Sequence, residues 1–591
     1  MPFAFAVGIT GHRGEALDAT TLESARERLI QLLDQLRLDA TEVHRRDGRY
    51  FAQAPPRFIF VSALADGADQ LAAEIALDLG YELHAVLPFS QGRTRQDMPD
   101  EASRERLDRL LGQAHCVLEL PGDDCEEADA YVMAGRAAVA HSDILIALWD
   151  GLPGRGRGGT ADVVQLAFER GRPVVHLPLQ GGEPARVLWG AFDPVLVARV
   201  GDPAAAKVLD PALGKEIVSA LLAPPPDERE RSFVRLFESE RRRILRPRIE
   251  YPLMLAVAGV AAFKRHHWRD ASIAWTQAEW REFGEACARA GALSTPLGTL
   301  QSWYEWADSL AGHFAQSHRS GHVFNFVLGA VAVVLGVINL VLPRWSVLFE
   351  ISLFVVVLAI LANTWAANRG EWHRRWLDYR QLAERLRPMR SLKLLGVAAP
   401  NAPGSEANPL AQRWVEWHAA AVWRAIGCPS GRIDVRQLGA ITASIAEREI
   451  EPQVAYHRKA AERGMRLHHR LEVFGTLVFA LALLSSVVLL TAFVVAPDWV
   501  HRNYNWFTVL SAGLPAIGTA VAGIRVQGDH GASAARSEQT SIVLDRVGQR
   551  LHGEGASLLR AADLVEQAAQ TMLSDLNEWR LLTQQRGLSV G

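Results

Sequence analysis

Apolar positions along the chain follow two main rhythms. In the first 180 residues they come as short continuous runs: AFAVGIT (4–10), FIFVSAL (58–64), ELHAVLPF (82–89), CVLELP (116–121), DILIALWDG (143–151) and PVVHLPL (173–179). Runs of this length and β-branched bias predict strands buried on both faces. Most are separated by segments with helical spacing, TTLESARERLIQLLDQLRL, GADQLAAEIALDLG, EASRERLDRLLGQA and ADAYVMAGRAAVAHS. Strand–helix alternation over this length predicts an α/β domain with a doubly wound, Rossmann-like parallel sheet.

Beyond residue 320 the rhythm changes. Four long apolar runs follow, at 323–342, 346–367, 473–496 and 505–524. At a rise of about 1.5 Å per residue each is long enough to cross a bilayer. Trp345, Trp365, Trp499, Tyr504 and Trp506 stand near the ends, where interfacial aromatics belong. The expectation is an all-α membrane region with four transmembrane helices in two hairpins. The hairpins read as a diverged internal repeat about 150 residues apart. Each is followed by an arginine-bearing amphipathic segment, HRRWLDYRQLAERLRPMRSL and ARSEQTSIVLDRVGQRL.

These patterns divide the chain into a ligand-binding domain (1–222), a linker, APPPDERERS (223–232), and a helical segment (233–320). The first hairpin and its following helix (321–392), a helical connector (393–470) and the second hairpin with the C-terminal helices (471–591) complete it. The connector contains the Pro/Gly-rich AAPNAPGSEANP (398–409). The C-terminal DLVEQAAQTMLSDLNEWRLL is amphipathic and suited to association.

Charge sharpens the orientation. Arg319, Arg369, Arg374 and Arg375 bracket the first hairpin, and Arg463, Arg466, Arg470 and Arg525 the second. The short inter-span loops hold one arginine each, Arg344 and Arg502. The positive-inside rule then predicts a multi-pass inner-membrane protein with both termini cytoplasmic. Net charge is −3, and the basic stretches lack interleaved base-stacking aromatics, so no nucleic-acid partner is expected. Cys116, Cys125, Cys287 and Cys428 are scattered without a CxxC pair, which argues against a zinc site or a disulfide framework. The apolar run in MPFAFAVGITGHR is too short for a signal h-region and has no basic residue before it, so no export signal is expected there. RLFESERRRILRPRIEYPLMLAVAGVAAFKRHH (235–267) flanks a dozen apolar residues with arginines; it reads as an interfacial helix or an ordinary packed helix with a solvated basic face.

Ligands of doubly wound sheets sit at the carboxyl ends of the strands. Three polar, glycine-bearing segments fall there: GITGHRG (8–14), SALADGADQ (62–70) and WDGLPGRGRGGT (149–160). Strand, glycine loop and helix is the geometry in which backbone N–H groups and a helix dipole meet a phosphate; alone, such a loop is also a tight turn. Three together predict a nucleotide pocket. Asp66 and Asp69 can equally be helix N-caps, Arg136 a surface ion-pair partner and His12 a structural turn residue.

GITGHR, SALADGADQLAAE, AYVMAGRAAVAHSDILIALWDG and GRGGTADVV resemble, as a set, the SLOG family of Rossmann-like domains over about residues 1–220. SLOG domains are related to the LOG phosphoribohydrolases. The paired spans, RRWLDYRQLAERLR and PAIGTAVAGIR resemble SLATT, two-transmembrane effector domains of bacterial conflict systems; here the paired span occurs twice. The resemblance implies a nucleotide-derived ligand, an NAD-derived or cyclic nucleotide signal, and an effector that alters membrane permeability in anti-phage defence. Carried to this chain, Gly158, Gly159 and Thr160 wrap a phosphate, with Asp150 in the same loop. Gly8, Thr10, Gly11, His12 and Arg13 form the opposite wall, Arg13 as a charge-assisted donor. Ser62, Asp66, Gly67 and Asp69 line the ribose side, and Arg136 reaches in from the helix before the last core strand. No catalytic or metal-binding residue and no tightly held cofactor is expected.

The alternative is a membrane-tethered N-glycosidic hydrolase of the LOG type. Its PGGxGTxxE signature needs a glutamate three residues after the threonine, and this chain has Val163 there. Four almost charge-free spans cannot form a wide aqueous pore in one chain, so a homo-oligomer is expected. The Gly/Ala face of the fourth span (Gly513, Ala516, Gly518, Ala520, Gly523) suits contact between copies. Glu350, the sole acid within a span, either snorkels or serves conduction.

Overall fold

A computed structural model describes all residues except 15–18, 155, 180–182, 193–199, 201–204, 292, 401–412, 554–556 and 584–591. Five parallel strands alternate with helices as the apolar runs predict: β1 (Ala4–Gly11), α1 (Ala19–Arg46), β2 (Arg57–Ser62), α2 (Ala68–Asp78), β3 (Glu82–Leu87), α3 (Gln91–Gln96), α4 (Glu101–Gln113), β4 (Cys116–Glu119), α5 (Glu127–His141) and β5 (Ile144–Trp149). Next come α6 (Thr160–Glu169), β6 (Val174–Pro178), β7 (Arg186–Leu188), β8 (Ala206–Val208), α7 (Pro211–Leu222) and α8 (Glu228–Ser239). The sheet order is β8-β7-β6-β5-β1-β2-β3-β4-β9, where β9 is Gly431–Arg432, with β7 and β8 antiparallel. β5 is fully buried, as a strand covered by helices on both faces must be.

The chain leaves β1 toward β2 on one side, and β5 is added on the other side of β1. The switch point of this doubly wound sheet therefore lies between β1 and β5. Polar loops at that place cannot be covered by crossover helices, which diverge from it.

The ninth strand, Gly431–Arg432, comes from between the hairpins and pairs in parallel with β4. The helices preceding the first span are α9 (Glu250–Val257) and α10 (Ser272–Arg289). The first hairpin is α11 (Gly298–Val341) with α12 (Ser346–Arg369), followed by α13 (Trp372–Leu386) and α14 (Met389–Leu395). α15 (Trp414–Ile426) and α16 (Val435–Ile445) lead to the second hairpin, α17 (Glu451–Val495) with α18 (Pro497–Gly528), and then α19 (His530–Gly553) and α20 (Leu558–Thr583).

Among the described residues four helices are long and apolar enough to cross a membrane, and only 6% to 17% of each apolar window is buried within the chain. Core helices of that hydropathy would be buried all round, so these present their side chains to lipid. This is a multi-pass membrane protein. Asn325, Asn363 and Thr364 bond across the first hairpin, Asn325 Nδ2 to Thr364 Oγ1 at 2.9 Å and Asn363 Nδ2 to Asn325 Oδ1 at 2.7 Å. In the second, a Cβ on Gly518 would fall 2.7 Å from the Phe479 ring.

The small-residue face of α18 is used inside the chain, contrary to its expected role between copies. A Cβ on Gly523 would lie 2.3 Å from Phe326 and one on Gly513 3.6 Å from Val334, both on α11. Helices with small residues approach closely wherever a bulky partner ring is available, and α11 supplies one.

One core runs through the polar half of the molecule, from Phe3 to Met572. Trp417 Nε1 donates to the Leu222 carbonyl at 2.9 Å, and Trp423 Nε1 to the Ala140 carbonyl at 3.0 Å. The boundary at residue 222 thus divides the sequence and not the packing. Within the expected linker, Asp227 caps α8 by accepting from Arg229 N at 2.8 Å, so the chain is helical again from Glu228. Of the 398–409 connector, positions 401–409 lie outside the described residues. The C-terminal amphipathic helix packs within the chain: Glu566 accepts from Arg170 at 2.8 and 2.9 Å and from Ala399 N at 3.0 Å.

Candidate functional site

The carboxyl end of β1 stays close to its neighbours because Gly11 has no side chain; a Cβ there would lie 2.5 Å from Ala68 and 3.0 Å from the Leu148 carbonyl. His12 continues the strand, donating N–H to Leu148 O and accepting from Ala68 N, both at 3.2 Å. The loops after β1, β2 and β5 are so drawn together. Gly67, at φ +97°, opens α2 against the backbone of residues 12–14, and a Cβ would meet Gly14 N at 2.5 Å.

From this seam the His12 imidazole turns toward the β5 loop, its Nε2 accepting from Asp150 N at 3.4 Å and standing 3.3 Å from Asp150 Oδ1. Asp150 Oδ1 also accepts from Leu152 N at 3.0 Å, which shapes the glycine loop. Arg13 extends the other way. Its guanidinium lies over the Tyr131 ring at 4.9 Å and 3.7 Å from Asp97, and half of it is exposed. Tyr131 OH donates to Asp97 and to Glu127 at 3.1 and 3.0 Å, and burial pushes this phenol up to about 12.

The two loop glycines have different duties. Gly158 takes φ +81° and is pressed on α5, where a Cβ would lie 2.9 Å from Tyr131 Cβ and from Val132 N. Gly159 faces open space, its nearest neighbour being the Gly156 carbonyl at 3.5 Å. Gly159 caps α6 and Thr160 begins it, so their N–H groups belong to the unpaired first turn. Asp162 Oδ2 accepts from Gly158 N at 2.9 Å, an internal carboxylate already drawn to this helix end. An incoming phosphate therefore has the N–H groups of Gly159 and Thr160 rather than that of Gly158. Val163 is buried against α5, its Cγ2 2.5 Å from where a Gly135 Cβ would stand, so an apolar side chain occupies the position at which the hydrolase signature has its glutamate.

The second loop is structural in its inner part. Ser62 is fully buried, accepting from Leu64 N at 3.1 Å and donating to Asp69 O at 3.4 Å. Leu64 is held at φ +54°, a strained value for a branched side chain. Asp69 is buried; desolvation raises its carboxyl to about 7, opposed by the N–H groups of Ala65 and Ala63 and by Arg13. Asp66 is half-buried and accepts from Ser103 Oγ at 2.7 Å. Gly8 lies in mid-strand, where a Cβ would strike Ser142 Oγ at 2.9 Å, and Thr10 is half-buried near the strand end.

Arg136 stands apart from this cluster. It is buried, with Nη1 2.6 Å from Asp563, Nη2 3.0 Å from Glu566 and Nε donating to Val397 O at 3.2 Å. Helical phase explains the difference: Arg136 follows Tyr131 by five residues, which turns it roughly 140° around α5. Tyr131 and Asp97 were not singled out in the sequence, and Asp162 only as a carboxylate misplaced for hydrolysis. Tyr131 sits in the quoted AYVMAGR at a helix start beside the switch point, and that placement was its signal. Asp97, in the turn after α3, had none.

Among the described residues one group of metal-ligand type converges, Glu82, His84 and His115, with donor atoms within 4.8 Å of one another. Arg57 already holds both Glu82 oxygens, at 2.6 to 3.3 Å, and so occupies a cation's place. His84 Nδ1 accepts from Cys428 N at 3.3 Å, and burial lowers this imidazole to about 3. Glu82 opens β3, so the group lies toward the amino edge of the sheet, away from the loops.

No family model matches this chain. No curated protein and no solved structure matches it either.

Proposed function

We propose that the chain is a membrane-bound nucleotide sensor and effector. A phosphorylated, nucleotide-derived ligand, of the NAD-derived or cyclic nucleotide kind, binds where the loops after β1 and β5 diverge and alters the permeability of the inner membrane. The observation that carries the reading is this switch point, with Arg13, His12 and the open Gly159–Thr160 helix start around it. The resemblance to SLOG and SLATT supports the same reading and points to bacterial anti-phage defence. Both termini then face the cytoplasm. Several copies surround the conducting path, meeting through faces other than the Gly/Ala stripe of α18.

A route from site to membrane exists in the packing. β9 extends the sheet from the segment between hairpins, and Glu566 of α20 binds Arg136 of α5 and Arg170 just after α6. Ligand binding that favours one arrangement of these contacts shifts the helices beyond them, provided affinity differs between the arrangements.

The test uses the full chain, because the α/β half shares its core with α15. Nucleotide signals are screened for thermal stabilisation in mild detergent. The stabilising compound should then release dye from liposomes carrying the protein. Gly159→Trp points into open space and should remove the stabilisation while leaving the unliganded melting temperature unchanged. Stabilisation retained in that variant defeats the placement. Conversion of the compound during the screen, with no dye release, favours the tethered hydrolase.

A further inference from the structure

Where the spans meet the water-soluble helices, the molecule carries a partly open cavity of about 800 Å³. Its walls divide by chemistry. Leu255, Val260, Val323, Leu467 and Ile524 form an apolar side that belongs to a small core cluster at the span ends. The same lining includes Arg319 of α11 and Lys459 and Arg463 of α17, all three exposed. Among the described residues none of these three has a carboxylate at ion-pair distance. Asp529, the acidic side chain in the lining, is 3.7 Å from Arg536. Arg319 is steered by aromatic faces alone, 4.8 Å above Trp376 and 5.6 Å above Tyr251.

Uncompensated charges gathered against a low-dielectric wall raise the local potential and draw an anion. The depth of the cavity says which kind. Val323 begins the apolar run of α11, and Ile524 ends that of α18. Beside them α9 packs on α11 while leaving Leu253 and Val257 50% and 83% exposed, as a helix lying in the headgroup layer does. A soluble phosphate has no use for an apolar wall that continues into the membrane; a phospholipid has. We propose that this cavity holds the phosphate headgroup of an anionic phospholipid among Arg319, Lys459 and Arg463, with the acyl chains leaving along Val323, Leu467 and Ile524. Its volume lies within the range of ligand pockets, and basic pockets between transmembrane helices are a known form of headgroup site.

The experiment is native mass spectrometry of the full chain in neutral detergent, without nucleotide, against phosphatidylglycerol and phosphatidylcholine. Phosphatidylglycerol should bind preferentially. Replacing Arg319, Lys459 and Arg463 together with Gln should weaken it about ten-fold or more while phosphatidylcholine is unaffected. Arg319→Lys with Arg463→Lys should retain binding. Lys459→Gln alone, at an exposed position, should cost about five-fold and serves if the triple variant unfolds. Undiminished phosphatidylglycerol binding in both Gln variants overturns the site. Displacement by millimolar inorganic phosphate as complete as by lipid overturns the lipid source. Because no nucleotide is present, either result leaves the sensor reading to its own test.

Discussion

The two membrane hairpins look alike in hydropathy and are built alike, yet they are held together differently. In each, a long helix packs along a shorter span and along the amphipathic helix that follows: α11 with α12 and α13, α17 with α18 and α19. The first hairpin is joined by amides and a hydroxyl, Asn325, Asn363 and Thr364; the second by the absence of side chains, Gly518 receiving Phe479. In lipid both devices work, since apolar side chains gain nothing by leaving one hydrocarbon for another. The following helices diverge further. Those after the first hairpin bury their arginines in ion pairs, Arg390 with Glu449 at 2.6 Å and Arg387 with Glu384 at 3.2 Å. α19 keeps Arg546 and Arg550 exposed. The duplicated plan thus has one unit fastened to the polar body by buried ion pairs and one joined to the same core by apolar side chains, Leu544, Val547 and Leu551 of α19.

Breaking the fastened unit should have the largest effect. Arg390→Met leaves Glu449, 3% exposed, as a buried carboxylate without its main partner, and should cost about 3–5 kcal/mol in unfolding titrations in detergent. Arg550→Gln, at an exposed position of α19, should change the same midpoint by less than about 0.5 kcal/mol. Equal losses from the two would dissolve the asymmetry.

The next contrast lies in the glycines. Gly523→Val drives a Cβ into the Phe326 ring and should cost about 1–3 kcal/mol. Gly329→Val on α11, where nothing lies within 4 Å, should be close to neutral. A neutral Gly523→Val would mean that α18 does not pack on α11.

Asn325→Leu should cost about 1 kcal/mol, the usual worth of a polar contact between spans, and only if the first hairpin depends on its amides. Measured beside Gly518→Val, it ranks the two kinds of glue directly.

The smallest effect is expected at Glu350, which accepts from Asn339 Nδ2 at 3.1 Å across the first hairpin. Glu350→Gln keeps the acceptor and should shift stability by under about 0.5 kcal/mol. If dye release in liposomes changes while stability does not, this carboxylate belongs to the conducting path rather than to the hairpin.

The chain's own pattern determined the two architectures. β-branched runs buried on both faces leave no alternative to a covered parallel sheet, and twenty apolar residues in a row leave none to a membrane. It also determined that the polar, glycine-bearing loops fall at one edge of that sheet, because strand ends are local signals. Partnership across distance was beyond it. That Gly158 packs on α5 while Gly159 faces open space, that Arg136 turns to Glu566, and that Trp417 and Trp423 complete the α/β core were decided by folding. Each depends on which surfaces meet across hundreds of residues, and spacing along a helix gives a side chain's direction without its partner. The edge strands tell the same story. β7, β8 and the two residues of β9 have no run of their own to announce them; they are strands because a neighbour offers unpaired backbone groups, and only the assembled sheet does that.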